Sequence, residues 1–169
     1  MVAWSKAKIS DAWGSTLEIT EDKALLRASV ELEVAKAGKY ELNIGEEKLQ
    51  QQLEAGLHQI SHEFEMENPK LWWSNGLGEA HLYSLELQLN SAGILLDSTT
   101  TTYGIRTIEF INEPDSIGTS FYFKLNGQAV FMKGENYIHQ DVFLPRVKKE
   151  QYQSILLAAK EANFNMLRV

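Results

Sequence analysis

The residues of this sequence that could carry chemistry are an adjacent pair of tryptophans, four histidines and a few polar residues near its end. Trp72 and Trp73 suggest carbohydrate stacking, because indole faces pack against sugar C–H groups. Neighbouring residues of a strand point to opposite faces, however, so at most one of these rings can face a ligand. We therefore expect the pair to fix a turn, with one ring in the core.

The histidines do not have metal-site spacing. On one strand, His58 and His62 would share a face but lie about 13 Å apart, because each residue adds about 3.3 Å. His81 and His139 fall in predicted loops without a ligand cluster. The sequence also has no cysteine, Gly-x-Gly-x-x-Gly motif, phosphate loop or serine nucleophile elbow. We expect no metal and no cofactor.

Composition limits the classes of protein to which the chain can belong. It has 169 residues, of which 44% are hydrophobic, and a formal net charge of -7. That charge argues against nucleic-acid binding, and no apolar run reaches the roughly 18 residues that span a bilayer. Residues 1–10 contain no targeting signal. The compartment therefore stays open, with a periplasmic or secreted parent protein among the alternatives.

Up to about residue 105 the apolar residues alternate in short runs, which is typical of half-buried strands. The runs cover 24–34, 40–44, 58–66, 83–89 and 94–103. Glu46 to Leu53 is ambiguous between a helical turn and another strand, and its spacing favours the strand. Six or seven such strands predict a mostly β fold, with an immunoglobulin-like β-sandwich over residues 1–110.

After residue 105 the pattern changes. Asn126-Gly127 predicts a hairpin with a type I′ turn. Apolar residues at helical spacing predict a helix from Val147 to about Ala162, ended by Asn163. We expect Val130 to Gly134 and Phe164 to Val169 to be buried strands that flank this helix in a right-handed βαβ unit. Residues 111–169 would then begin a larger α/β domain.

Four stretches carry a family resemblance: NPKLWWSNGLGEAHLYSLELQL, YGIRTIEF, FKLNGQAVFMKGENYIHQDVF and EANFNMLRV. Together they resemble glycoside hydrolase family 2, and within it the β-mannosidases. The resemblance implies an internal fragment: an immunoglobulin-like sandwich at 1–110, followed at 111–169 by the N-terminal part of a truncated TIM barrel. It also implies a retaining, exo-acting enzyme that removes terminal non-reducing β-mannose from oligosaccharides.

The resemblance assigns roles to particular residues. In the family both catalytic carboxylates come from later barrel strands, so this chain would contain no catalytic residue and be inactive alone. Arg168 matches an arginine that pairs with the nucleophilic glutamate, and Asn136 matches a substrate-binding asparagine. Glu135 and Asp141 flank the first barrel strand, where they either shape the sugar pocket or are simply solvated.

Other readings stay open. The sugar could instead be a β-galactoside or a β-glucuronide, because Glu135 and His139 depart from the family pattern near the pocket. A non-catalytic carbohydrate-binding sandwich is a further alternative. An incomplete barrel would expose Phe164, Met166 or Leu167 along an open strand edge. We therefore expect either a homodimer through that edge or a mobile C-terminal segment.

Overall fold

The computed structural model describes residues 6–114 and 116–169 and divides the chain into two compact units. The first unit contains the chain up to Lys70 together with His81–Ile105. The second contains Leu71–Ala80 and Arg106–Val169. Leu71–Ala80, here called the tryptophan loop, therefore groups with the later part of the chain although both segments that flank it belong to the first unit.

The first unit consists of seven antiparallel strands in two sheets. The strands are β1 (Ala7–Ile19), β2 (Lys23–Val34), β3 (Gly38–Ile44), β4 (Glu47–Leu53), β5 (Gly56–Glu67), β6 (Tyr83–Ser91) and β7 (Ile94–Tyr103). One sheet has the order β1-β2-β5, and the other has the order β4-β3-β6-β7. The ambiguous segment at 46–53 is thus a strand, and the prediction of a mostly β fold is confirmed.

Alternation builds the core of this unit. Every second residue of β2 from Ala24 to Val34 is buried, because one face of the strand packs inward while the other carries Arg27, Glu31 and similar side chains. Ser29 is the one residue of that other face that is buried as well. Both sheets contribute to the buried apolar set, whose largest members are Leu26, Leu32, Leu42, Leu87, Leu89 and Ile105. The sheets are also joined at their margins, where the Ile9 amide of β1 donates to Asp97 Oδ2 of β7 over 2.8 Å.

The second unit begins with an antiparallel sheet of the order β10-β9-β8. These strands are β8 (Ile108–Ile111), β9 (Tyr122–Leu125) and β10 (Gln128–Val130). Asn126 and Gly127 join the last two with φ angles of 50° and 76°, which confirms the predicted hairpin turn.

A parallel pair of short strands and one helix complete the second unit. They are β11 (Gly134–Asn136), α1 (Lys149–Glu161) and β12 (Met166–Arg168), with a 3₁₀ turn at Leu144–Arg146 before the helix. Asn163 follows α1 with a φ of 60°, so the predicted end of the helix is confirmed.

Two details of the predicted βαβ unit are wrong. The first parallel strand is Gly134–Asn136 and not Val130 to Gly134, because Val130 is taken up by the preceding hairpin. The second strand is also not buried: Met166 is 38% exposed, and α1 has no buried residue. Two strands and one helix cannot cover both faces of a parallel sheet, so the apolar residues of this segment remain accessible.

Candidate functional site

The two predicted substrate-binding residues lie side by side. The parallel register pairs Asn136 of β11 with Arg168 of β12, and the Tyr137 amide donates to the Arg168 carbonyl over 2.8 Å. Paired residues of neighbouring strands point to the same face, so both side chains project together. Both are exposed, at the carboxyl ends of parallel strands, where α/β domains bind their ligands.

The two predicted pocket carboxylates are placed differently. Glu135 pairs with Leu167, one residue before the Asn136–Arg168 pair, and alternation directs its side chain to the opposite face of the sheet. The Asp141 Oδ1 atom accepts the Phe143 amide over 2.8 Å, so this carboxylate closes a turn in the loop after β11. For Glu135, the geometry therefore gives no support to a place beside Asn136. The role of Asp141 in a pocket stays a prediction.

Asn165 holds the start of both strands, and the sequence analysis did not identify it. Its Oδ1 atom accepts the Lys133 amide over 2.8 Å, and its Nδ2 atom donates to the Phe131 carbonyl over 3.0 Å. Asparagine is suited to this bridge because its amide both donates and accepts. The only sequence signal was an asparagine near the start of the predicted strand Phe164 to Val169, which is too common a pattern to single out.

The tryptophan pair is engaged by protein groups. The Arg106 guanidinium lies 4.5 Å from the centre of the Trp72 ring, a cation–π contact. The Trp73 ring lies against Gly78, where a Cβ atom would come within 2.9 Å of it. The Trp73 amide also donates to the Glu79 carbonyl over 3.0 Å. These contacts agree with the expectation that the pair fixes a turn. Both residues are only half-buried, however, so the expectation that one ring lies in the core is wrong.

Two asparagines connect the tryptophan loop to the rest of the second unit. Asn126 donates to the Trp72 carbonyl over 3.0 Å. Asn75 donates to the carbonyls of Lys160 and Phe164 over 3.0 and 3.1 Å. Between this loop and the end of α1 lies a groove of about 600 Å³ that Trp73, Leu156 and Met166 help to line.

The histidines have structural partners in place of metal-binding geometry. His58 Nε2 is 2.8 Å from the Glu54 carbonyl oxygen, and the His81 ring meets the edge of Tyr83 at 4.7 Å. Within residues 6–114 and 116–169, no three histidine or acidic side chains are grouped as ligands for a metal ion. Across the same residues, no helix has the length and hydropathy to span a bilayer.

The resolved pKa shifts belong to the first unit. Burial, with the charge of Tyr83 as a smaller cause, raises the pKa of Tyr103 above its ordinary value of 10.0. The hydrogen bond and charge of Glu65 raise the pKa of Lys23 on the surface of β2. Both groups lie on strands of the first unit, so these shifts indicate packing and ion pairing in its β sheets.

Comparison with known proteins identifies the class to which this arrangement belongs. Residues 6–106 match the model of the glycosyl hydrolases family 2. β-Mannosidase B of Aspergillus oryzae is 30% identical over 174 residues, which cover 96% of this chain and 20% of the relative. The β-mannosidase B of Aspergillus niger is 36% identical over 110 residues, covering 63% of this chain and 13% of the relative.

A solved structure extends the similarity through the second unit. The β-D-mannosidase of Dictyoglomus thermophilum superposes with a TM-score of 0.88 and 35% identity, over 99% of this chain and 22% of that enzyme. The family match covers more than half of the chain. This chain therefore belongs to the glycosyl hydrolases family 2, and it spans about a fifth of the length of the curated relatives that it matches.

Proposed function

We propose that this chain forms the immunoglobulin-like and first barrel segments of a retaining exo-β-mannosidase, which removes terminal non-reducing β-mannose. The domain boundary would lie near residue 110. The chain itself would be structural and inactive alone. In the intact enzyme it would contribute Asn136 and Arg168 to binding of a β-mannoside-containing oligosaccharide.

The strand order of the first unit supports the sandwich part of this proposal. The sheet β1-β2-β5 corresponds to strands A, B and E of an immunoglobulin-like fold, and β4-β3-β6-β7 corresponds to C′, C, F and G. The second unit supports the barrel part, because a hairpin precedes a parallel strand–helix–strand segment. Such a segment is the repeating element of a (β/α)8 barrel.

The observation that carries the proposed activity is the pairing of Asn136 with Arg168. A TIM barrel builds its active site at the carboxyl ends of its strands, and both residues occupy that position on adjacent strands. An arginine there can hold a neighbouring carboxylate ionised, as a retaining glycosidase requires of its nucleophile. An amide next to it can bind a sugar hydroxyl through both its donor and its acceptor.

The test begins with the coding sequence beyond Val169. We expect a Trp-Gly-Gly continuation and, later, an Asn-Glu pair that supplies a catalytic carboxylate. The protein translated through that sequence, here called the extended protein, should hydrolyse an aryl β-mannoside in preference to the matching β-galactoside, β-glucuronide and β-glucosaminide. The 169-residue chain should show no hydrolysis above background, because it lacks the acid/base and the nucleophile.

Three results would contradict the proposal. A coding sequence that stops at Val169, or continues into an unrelated domain, would contradict the proposal that this chain is part of a larger glycosidase. Preference of the extended protein for another glycoside would contradict the proposed specificity for terminal β-mannose. Turnover by the pure 169-residue chain would show that it contains catalytic groups of its own.

A further inference from the structure

The tryptophan loop is a segment whose role the proposed activity does not explain. In sequence it interrupts the first unit between β5 and β6, yet it is part of the second unit. Its backbone is closed on itself by bonds from Trp73 to Glu79 and from Leu77 to Ser74. The loop therefore presents a fixed shape from which Asn75 can reach α1.

Asn75 binds the chain where α1 ends. The last four carbonyls of a helix have no i+4 partner within it, and Lys160 lies in that last turn. Its carbonyl also accepts the Asn163 amide over 3.0 Å, and the Ala159 carbonyl accepts the Phe164 amide over 2.9 Å. Asn75 Nδ2 donates to the Lys160 carbonyl over 3.0 Å and to the Phe164 carbonyl over 3.1 Å, so one side chain spans the turn that reverses the chain. Between these two carbonyls, Asn163 takes the left-handed conformation at a φ of 60°.

The bound turn leads directly into β12. After Phe164, Asn165 bonds to the Phe131 and Lys133 backbone, and β12 then pairs with β11 as far as Arg168. Only three residues lie between Phe164 and Arg168. A shift of the turn therefore reaches Arg168 through a strand of only three residues.

We propose that Asn75 is a positioning residue, which fixes the direction of β12 and through it the place of Arg168 beside Asn136. This inference rests on the proposed function, because it treats Arg168 as a site residue. It goes further in assigning a part of the site's geometry to a loop that is distant in sequence. Misplacement of a site group by about 1 Å can reduce a rate about a hundredfold, so a support of this kind has a measurable effect.

The first experiment uses the 169-residue chain and does not depend on activity. Asn75→Ala removes both donors, and Asn75→Asp keeps the shape while placing a carboxylate against two carbonyl oxygens. We expect amide exchange at Tyr137 and Met166 to become about tenfold faster in both variants, since one hydrogen bond is worth about that factor in a local opening equilibrium. Exchange in β2 should not change.

Leu77→Ala is the matched control, because Leu77 lies in the same loop with 42% of its surface exposed and its backbone bond is retained. It should leave exchange at Tyr137 and Met166 as in the wild type. Unchanged exchange at both amides in Asn75→Ala would overturn the proposal, since the turn would then be held without this side chain.

The second experiment measures the extended protein on an aryl β-mannoside. Asn75→Ala should lower kcat about tenfold while KM changes less than about twofold, as for an interaction that matters mainly in the transition state. Because Asn75 acts through Arg168, the same substitution should cause no further loss in an Arg168→Lys background. A merely structural residue would reduce both backgrounds equally, which would overturn the positioning role.

The two experiments separate the two claims. An extended protein that hydrolyses no glycoside would refute the proposed function and with it a role for Asn75 in catalysis, while faster exchange in the 169-residue chain would still show that Asn75 holds β12. An active extended protein with unchanged kcat in Asn75→Ala would refute the positioning role alone.

Discussion

At the scale of single residues, Gly134 leaves the least room for a Cβ atom among the glycines of the second unit. A Cβ atom there would lie 2.0 Å from the Met166 carbonyl oxygen, well inside van der Waals contact. We expect Gly134→Ala to separate β11 from β12 and to destabilise the second unit by about 1–3 kcal/mol, as overpacking usually does. Faster amide exchange at Tyr137 is the measurement.

Gly118→Ala serves as the control for this substitution, because a Cβ atom at Gly118 meets open space. It should leave exchange at Tyr137 unchanged. A protected Tyr137 amide in Gly134→Ala would contradict the prediction and would mean that β12 moves aside without losing its pairing.

Tyr103 makes the stability of the first unit decrease as the pH rises in the alkaline range. Its pKa is raised, mainly by burial, so the folded state keeps the phenolic proton at a pH where the unfolded chain has begun to lose it. The contribution to stability is therefore complete below pH 10 and declines as the pH rises towards the raised pKa. Tyr103→Phe should reduce the fall in Tm between pH 9 and pH 11.

Tyr122→Phe provides the comparison for Tyr103→Phe, since it removes a phenol from β9 in the second unit. The melting of the first unit should then show the same pH dependence as in the wild type. Equal dependence in the wild type and in Tyr103→Phe would mean that other groups titrate on unfolding in that range.

At the scale of elements, the sequence predicts strands well where one face alternates without interruption. β2 and β6 pack one face inward, and their runs were visible. β1 was not singled out, because register shifts at Ile9/Asp11 and Thr16/Glu18 interrupt its alternation. β11 was placed about four residues too early, since the apolar Val130 to Met132 resembles a buried strand more than Gly134–Asn136 does.

The site shows the same division between local and long-range information. Asn136 and Arg168 were identified by similarity, and each lies at a strand end that the local pattern could place approximately. Asn75 and Asn165 were missed, because their hydrogen bonds join residues 85, 89, 32 and 34 positions apart. The periodicity of a single sequence does not indicate which distant residues will be joined by hydrogen bonds.

The bond between β1 and β7 is an element-scale feature that can be tested directly. Asp97 is half-buried and accepts the Ile9 amide at the β1 bulge as well as the Ser98 amide. We expect Asp97→Ala to destabilise the first unit by about 1.5–3 kcal/mol, the usual range for hydrogen bonds to a charged group. Chemical denaturation followed by tryptophan fluorescence would measure it.

Asp11→Ala is the matched control, because the Asp11 carboxylate is exposed and accepts the amide of the adjacent Ala12. It should change stability by less than about 0.5 kcal/mol. Equal effects of the two substitutions would show that the margin between β1 and β7 does not depend on Asp97.

At the scale of the whole molecule, the proposed boundary near residue 110 predicts an independently folding first unit. A chain ending at Asn112 keeps all seven strands and their buried leucines, so it should unfold cooperatively. It loses Asn126, Lys160 and Phe164, the partners of the tryptophan loop. We therefore expect chymotrypsin to cut that loop in the shortened chain but not in the 169-residue chain.

Circular dichroism and limited proteolysis together decide this prediction. A non-cooperative transition would show that the second unit completes the core of the first. A loop that stays resistant to chymotrypsin after truncation would show that its internal bonds and the Arg106–Trp72 contact maintain its shape without the contacts to Asn126 and α1.

Among the residues that the structure describes, β12 pairs with β11 alone, and its other edge predicts self-association of the 169-residue chain. The Met166 amide and the Arg168 carbonyl bond towards the β11 side, so alternation directs the backbone groups of Leu167 away from it. An unpaired strand edge beside exposed apolar side chains recruits another strand. We expect either a dimer that protects the Leu167 amide from exchange or a monomer in which the Leu167 amide exchanges rapidly.

Light scattering after size exclusion, combined with amide exchange, distinguishes these two states. If the chain is dimeric, Leu167→Pro should return it to a monomer, because proline removes the outward amide without breaking a bond to β11. Lys149→Ala on the exposed first turn of α1 should leave the dimer intact. A monomer with slow exchange throughout residues 166–168 would contradict both alternatives, since neither a partner strand nor local motion would then account for the open edge.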